Sequence, residues 1–112
     1  MDKKEILKRT KETLLEAFEK SGVSVEKIVV FGSYARGKPR RDSDIDVIIV
    51  SKDFRGKDIF QKVEMVSGID GELVRRTNKP FDILYYSDTE WKKGYSLTIN
   101  AAKEYGKVLY SA

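Results

Sequence analysis

Gly32-Ser33-Tyr34-Ala35-Arg36-Gly37 is followed after a short spacer by Ser43-Asp44-Ile45-Asp46 and the apolar run Val47-Ile48-Ile49-Val50. A small-residue turn able to approach phosphates lies just upstream of two aspartates on one strand. Strand side chains alternate sides at ~3.3 Å per residue, so Asp44 and Asp46 point the same way, roughly 6–7 Å apart at the base. Carboxylates at that spacing can converge on a divalent ion. Magnesium takes hard oxygen ligands, commonly one or two carboxylates with waters and substrate phosphates. Two such ions about 3.5–4 Å apart would clamp the attacking and leaving oxygens of an in-line displacement. The plainer alternative is a polar turn at Asp42, Ser43 and Asp44, with Asp46 capping the strand. Against it stands the poor fit of aspartate inside strands, here before four β-branched residues.

Working outward, Lys27 to Phe31 is a short, nearly all-apolar strand entering the turn, as expected where both faces are covered. A short helix is predicted after Gly32-Ser33, so that free backbone N–H groups at its start attract phosphate oxygens and Ser33 adds a hydroxyl. Residues 2–20 read as a helix with Ile6, Thr10, Leu14, Ala17 and Phe18 in one stripe, widened by Leu7 and Leu15. Glu5 with Arg9 and Glu16 with Lys20 are favourable i,i+4 pairs. Ser51 to Lys57 is a polar loop. Ile59, Phe60, Val63, Val66, Leu73 and Val74 suggest a helix, with a break near Ser67 to Gly71 because glycine costs about 1 kcal/mol in a helix interior.

Phe81 to Tyr86 is a third strand, with Pro80 admissible at a sheet edge. It carries Asp82 between Phe81 and Ile83, a second misplaced strand carboxylate. Ser87-Asp88-Thr89-Glu90 matches a capping box. The helix it starts presents Trp91, Tyr95, Thr98, Ala102 and Tyr105 on one face, Gly106 closes it, and Lys107 to Tyr110 forms a short edge strand. Strands separated by helices predict an α/β or α+β domain with a small mixed sheet flanked by helices.

The chain of 112 residues is expected to form one domain, residues 1–112. Zero cysteines exclude disulfides and thiolate chemistry, and zero histidines remove the usual general base, leaving acid–base and metal work to carboxylates. No apolar stretch approaches the ~20 residues a membrane span needs, and a cytoplasmic location is expected. Lysine and arginine outnumber aspartate and glutamate by 22 to 18, a net charge of +4 that suits polyanionic ligands such as nucleotides and RNA. Arg36, Lys38, Arg40 and Arg41 crowd beside the turn, where any could steady a phosphate or an anionic acceptor and others stay solvated. Tyr34, Tyr85, Tyr86 and Trp91 could stack on a base, but at such spacing they read first as core.

The pattern Gly-Ser-x-Ala-Arg-Gly, spacer, Ser-Asp-Ile-Asp-Val resembles the signature of the nucleotidyltransferase superfamily that includes DNA polymerase beta, and within it most resembles the minimal nucleotidyltransferase, or MNT, group. The leading helix, the strand into the turn, Pro80-Phe81-Asp82-Ile83-Leu84 as the third-carboxylate strand, and the ending Lys103 to Tyr110 extend it over nearly the whole chain. The resemblance implies a polymerase beta palm-like fold. It also implies a magnesium-dependent transfer, with two ions, of a nucleoside monophosphate (AMP from ATP) to a hydroxyl. Asp44, Asp46 and Asp82 are then the metal-binding and catalytic acids, and Gly32, Ser33 and Arg36 hold the nucleotide. Asp82 would serve the metal nearest the acceptor hydroxyl. No acceptor-binding domain is apparent, so a HEPN-type helical protein partner, as in HEPN/MNT toxin–antitoxin pairs, is the expected acceptor. Alternatives are a catalytically idle module neutralising its partner by contact, a small RNA-binding domain, and a transferase acting on RNA or a small molecule. Magnesium-dependent nucleotide binding separates the transferase from both non-catalytic readings.

Overall fold

A computed structural model describes residues 1–37, 44–94 and 96–112; Lys38, Pro39, Arg40, Arg41, Asp42 and Ser43, and with them three of the four cations named above, lie outside the described residues, as does Tyr95. The elements are α1 (Lys3–Ser21), β1 (Lys27–Phe31), β2 (Ile45–Val50), α2 (Ile59–Met65), α3 (Ile69–Thr77), β3 (Phe81–Tyr86), α4 (Asp88–Lys93), α5 (Leu97–Tyr105) and β4 (Lys107–Ser111). The sheet order is β3-β2-β1-β4. β1 runs antiparallel to both β2 and β4, while β2 and β3 are parallel, so the sheet is mixed as the sequence predicts. A parallel pair needs a crossover connection. Residues 51–80 supply it, carrying α2 and α3.

Alternation along the strands sorts the core into two layers. Ile28 and Val30 of β1, Ile45, Val47 and Ile49 of β2, and Phe81, Ile83 and Tyr85 of β3 pack with Leu14 and Phe18 of α1 and Leu73 of α3. Val29, Ile48, Val50, Leu84 and Tyr86 face the opposite way, toward Trp91 of α4 and Ala102 of α5. The leading helix thus works as core, capped by Asp2 at its start and by Gly22 in the left-handed region at its end. Its Glu5–Arg9 pair forms at 3.1 Å. Glu16 reaches instead to Arg76 of α3 at 2.9 Å, a tertiary contact that helical spacing cannot announce.

Four local expectations change. Residues 32–37 form a run of turns, closed by the Arg36 N–H donating to the Gly32 carbonyl at 3.2 Å, and no helix begins there among the described residues. The polar loop 51–57 hides a 3-10 turn at Lys52–Phe54 whose Phe54 is fully buried, set edge-on between Phe18 and Tyr85. The break in the 59–77 segment falls at Val66 to Gly68, and Gly71 lies inside α3. The single helix read from Trp91 to Tyr105 is two, because Gly94 takes φ 63° and Ser96 caps a new start. Gly106 does end α5, but in extended conformation; a Cβ there would strike the Ala102 carbonyl and lie 2.8 Å from a Val29 methyl. Tyr34 and Tyr85 are buried, as a core reading requires.

At the end of the sheet away from the Gly32 turn, a cation is buried. Lys62 of α2 is 6% exposed and donates to the Tyr85 carbonyl and to Glu90, both at 3.0 Å. Glu90 is also the return arm of the Ser87 capping box, so one carboxylate ties α2, β3 and α4 together. Arg55 grips Asp88 with both arms of its guanidinium, and that hydrogen bond foremost pulls the carboxyl down to about 2.

Two phenylalanines give opposite expectations. Phe54→Ala should cost about 3–5 kcal/mol by emptying a core position, whereas Phe60→Ala, at a residue 81% exposed, should shift stability by no more than about 0.5 kcal/mol; denaturant unfolding measures both.

Candidate active site

Main-chain pairing assembles the site at the end of the sheet where β1 exits. Phe31, the last residue of β1, is the partner of Asp46, and Asp46 is in turn the partner of Asp82 on β3. Paired residues on neighbouring strands share a face, with strands ~4.8 Å apart. Asp46 and Asp82 therefore stand side by side on the face that Ile48 and Leu84 continue toward α5. Asp44 precedes β2 by one residue; it and Asp82 are exposed and Asp46 is half-buried.

Immediately after Phe31 the chain must turn over the Asp46 carboxylate. Gly32 does so at φ 70°, and a Cβ there would collide with Asp46 Oδ2. Only glycine meets both demands, since an L side chain in the left-handed region costs roughly 1–2 kcal/mol before any collision. Ser33 follows half-buried, and Arg36 is exposed with its guanidinium carbon 5.9 Å from the Tyr105 ring centroid. The site thus brings together five of the six residues singled out in sequence along one rim of turn and strand ends, with Arg36 turned toward α5. Phe31 and Tyr105 are the neighbours that sequence reading misses: register across β1 and β2 places one and a contact between turn and helix the other, and neither leaves a local signal.

The acids feel one another. Burial raises the Asp46 carboxyl above its ordinary range, and the charges of Asp82 and then Asp44 push it further the same way. Among the described residues no three carboxylates are gathered into a closed metal-ligand set; the three share an electrostatic neighbourhood at an open rim. An oxygen-only donor set, mutually repelling, beside a turn kept free of a side chain fits a hard divalent cation, whose charge would relieve that repulsion. A groove of about 450 Å³ lies elsewhere, between α1 and α3. Arg76 pairs there with Glu16 and Glu72, bridging the two packed helices.

Residues 7–109 match the family model described as the nucleotidyltransferase domain. The chain belongs to that family. A curated relative from Methanocaldococcus jannaschii, provisionally named a protein adenylyltransferase, is 44% identical over 46 residues, 41% of this chain and 48% of the relative. The chain spans about half the length of that relative. The fold is similar to the crystal structure of a nucleotidyltransferase, provisionally so assigned, from Sulfolobus solfataricus, with a TM-score of 0.67 at 24% identity, covering 97% of this chain and 83% of that one. It is also similar to a chain in the complex of a tri-AMPylated Shewanella oneidensis HEPN toxin with its MNT antitoxin, with a TM-score of 0.57 at 15% identity, covering 95% and 73%. At such identities the two structures establish the shared fold, a mixed sheet flanked by helices.

The raised Asp46 carboxyl has a consequence for stability. A carboxyl whose folded pKa exceeds its unfolded one destabilises the fold progressively as pH rises from the unfolded value, about 3.9, through the folded one. Asp46→Asn should therefore unfold at a higher temperature than the parent at pH 7 in chelator, and the gap should close below about pH 4. Thermal melts of both proteins across that range check it.

Proposed function

We propose that this domain moves AMP from ATP to a hydroxyl of a protein partner, a HEPN-type helical protein, with pyrophosphate as leaving group, in the cytoplasm. The observation that carries the reading is the pairing of Asp46 with Asp82 in adjacent strands while Gly32 passes bare over the Asp46 carboxylate. The M. jannaschii relative, named for protein adenylylation, and the S. oneidensis complex of an MNT antitoxin with an AMPylated HEPN toxin support the nucleotide and the acceptor class.

In this reading Asp44, Asp46 and Asp82 would hold magnesium, two ions by analogy with in-line phosphoryl chemistry. The bound cation supplies charge neutralisation of the triphosphate and acidifies the attacking hydroxyl. The Gly32–Ser33 turn donates to phosphate oxygens, and Arg36 adds a cation on the side of the leaving pyrophosphate. Asp82, on the outer strand and exposed, faces the acceptor and takes its proton as the hydroxyl oxygen bonds to the α-phosphorus. The bond from that phosphorus to the bridging oxygen breaks and pyrophosphate departs. Positioning and electrostatics carry most of such a reaction. A chain with no histidine and no cysteine is chemically sufficient for it.

ATP binding measured by calorimetry should require magnesium, because a triphosphate beside three carboxylates meets only like charge without it. Equal binding in chelator would overturn the metal assignment. Asp44→Asn and Asp46→Asn should lose nucleotide binding and transfer together. Asp82→Asn should keep much of the affinity yet lose about 10²-fold or more in turnover. Mass spectrometry of a HEPN-type partner incubated with ATP and magnesium should show an added adenylyl group, absent with Asp44→Asn. A partner left unmodified but still inhibited by that variant would mark a module acting by contact; label on RNA ends would keep the chemistry and change the acceptor.

A further inference from the structure

Tyr105 ends α5 with 58% of its surface exposed, an unusual place for a large aromatic ring that the core does not use. Its location is nonetheless fixed by backbone. Gly106, the next residue, is pressed against Val29 of β1, and Lys107 then pairs with Val30, one residue before Phe31 and the Gly32 turn. The helix end and the turn are thus held side by side through the same strand. Across that junction the Arg36 guanidinium lies over the Tyr105 ring, 5.9 Å from its centroid. Arg36 belongs to the turn itself, its N–H closing onto the Gly32 carbonyl, and Gly32 is the residue that passes over Asp46. One short segment therefore links the ring to the carboxylates.

We infer that Tyr105 is a positioning residue: its ring holds the Arg36 cation at the rim of the turn, on the β4 side of the sheet, where the phosphates of a bound nucleoside triphosphate remote from the acids would meet it. The inference rests on the nucleotide reading above and deepens it by adding a residue from the last helix. Asp46 and Asp82 occupy β2 and β3, while the end of α5 that carries Tyr105 is seated through Gly106 against β1 and leads directly into β4. Strands ~4.8 Å apart separate the two groups by about two strand spacings, or ~10 Å. A polyphosphate laid across the strand ends has carboxylates with their cation at one end and a guanidinium at the other. A long arginine on an exposed turn samples many rotamers, and a ring that attracts it through its face removes part of that freedom before the ligand arrives. The attraction needs the aromatic face and makes no use of the hydroxyl.

The test combines a contact readout with equilibrium binding. In the parent protein the side-chain N–H resonance of Arg36 should carry a ring-current shift, kept in Tyr105→Phe and lost in Tyr105→Ala. Calorimetry with magnesium and ATP should show about two- to five-fold weaker binding for Tyr105→Ala, the range expected for an exposed cation–π contact, and parent-like binding for Tyr105→Phe. In an Arg36→Ala background, Tyr105→Ala should bring no further loss. All variants should melt within a few degrees of the parent, since the ring is mostly solvent-exposed. Parent-like binding by Tyr105→Ala, equal loss in Tyr105→Phe, or a further loss without Arg36 would each overturn the role of Tyr105 and leave the nucleotide reading standing. A parent protein that binds no magnesium–ATP would overturn the nucleotide reading itself, and this role of Tyr105 with it.

Discussion

The Asp46 carboxylate, half-buried between a glycine turn and a second aspartate, sets the terms for everything around it. The antiparallel register of β1 and β2 brings Phe31 opposite Asp46, so the chain leaving β1 has no room for a side chain at its next residue. The parallel register of β2 and β3 brings Asp82 to the other flank. Each neighbour raises the cost of the charge, and the raised carboxyl is the measure of it. A sequence optimised only for stability would replace such a group, because a poorly compensated charge in a strand gives nothing to the core. Such a carboxylate beside a bare turn is what the proposed cation and phosphate chemistry would require.

Stability is concentrated elsewhere. Leu14, Phe18, Ile28, Ile49, Phe54 and Leu73 are all fully or nearly fully buried on the α1 and α3 side of the sheet. At the far end Lys62 and Glu90 satisfy each other while tying three elements. A buried lysine is expensive unless its ammonium finds acceptors, and here a carbonyl and a carboxylate both serve. With that end fixed, the end that carries the acids can remain open. Helix α5 spans the two regimes: Ala102 packs on the sheet, and three residues later Tyr105 stands in solvent against Arg36.

Much was legible in the chain itself. All four predicted strands lie where the runs of β-branched and aromatic residues place them, because such short runs bounded by glycine, proline and polar residues admit few alternatives. The leading helix and the Ser87 capping box are equally local matters. Of the candidate site, Asp46 and Asp82 stand out in sequence because aspartate is ill-suited to a strand interior, and the structure does place both on strands. Local signals failed where a distant contact decides. Phe54 is buried in a stretch that reads as a polar loop because Phe18 and Tyr85 meet it from elsewhere in the chain. Ile59, Phe60 and Val63 have the spacing of a core face yet lie exposed on α2, whose inward contacts are made by Lys62 and Met65.

The strands, the leading helix, the carboxylates at strand positions and the glycine-serine turn could be read from residues a few positions apart, since they follow from alternation, backbone sterics and residue chemistry. Tertiary structure alone decided that Asp82 stands beside Asp46. It also set Tyr105 against Arg36 and gave Glu16 to Arg76 in place of Lys20. Those pairings depend on strand register, on a crossover of some thirty residues and on how a helix end seats against β1. Such long-range choices are made by the packing of the whole core, and no window of local sequence contains them.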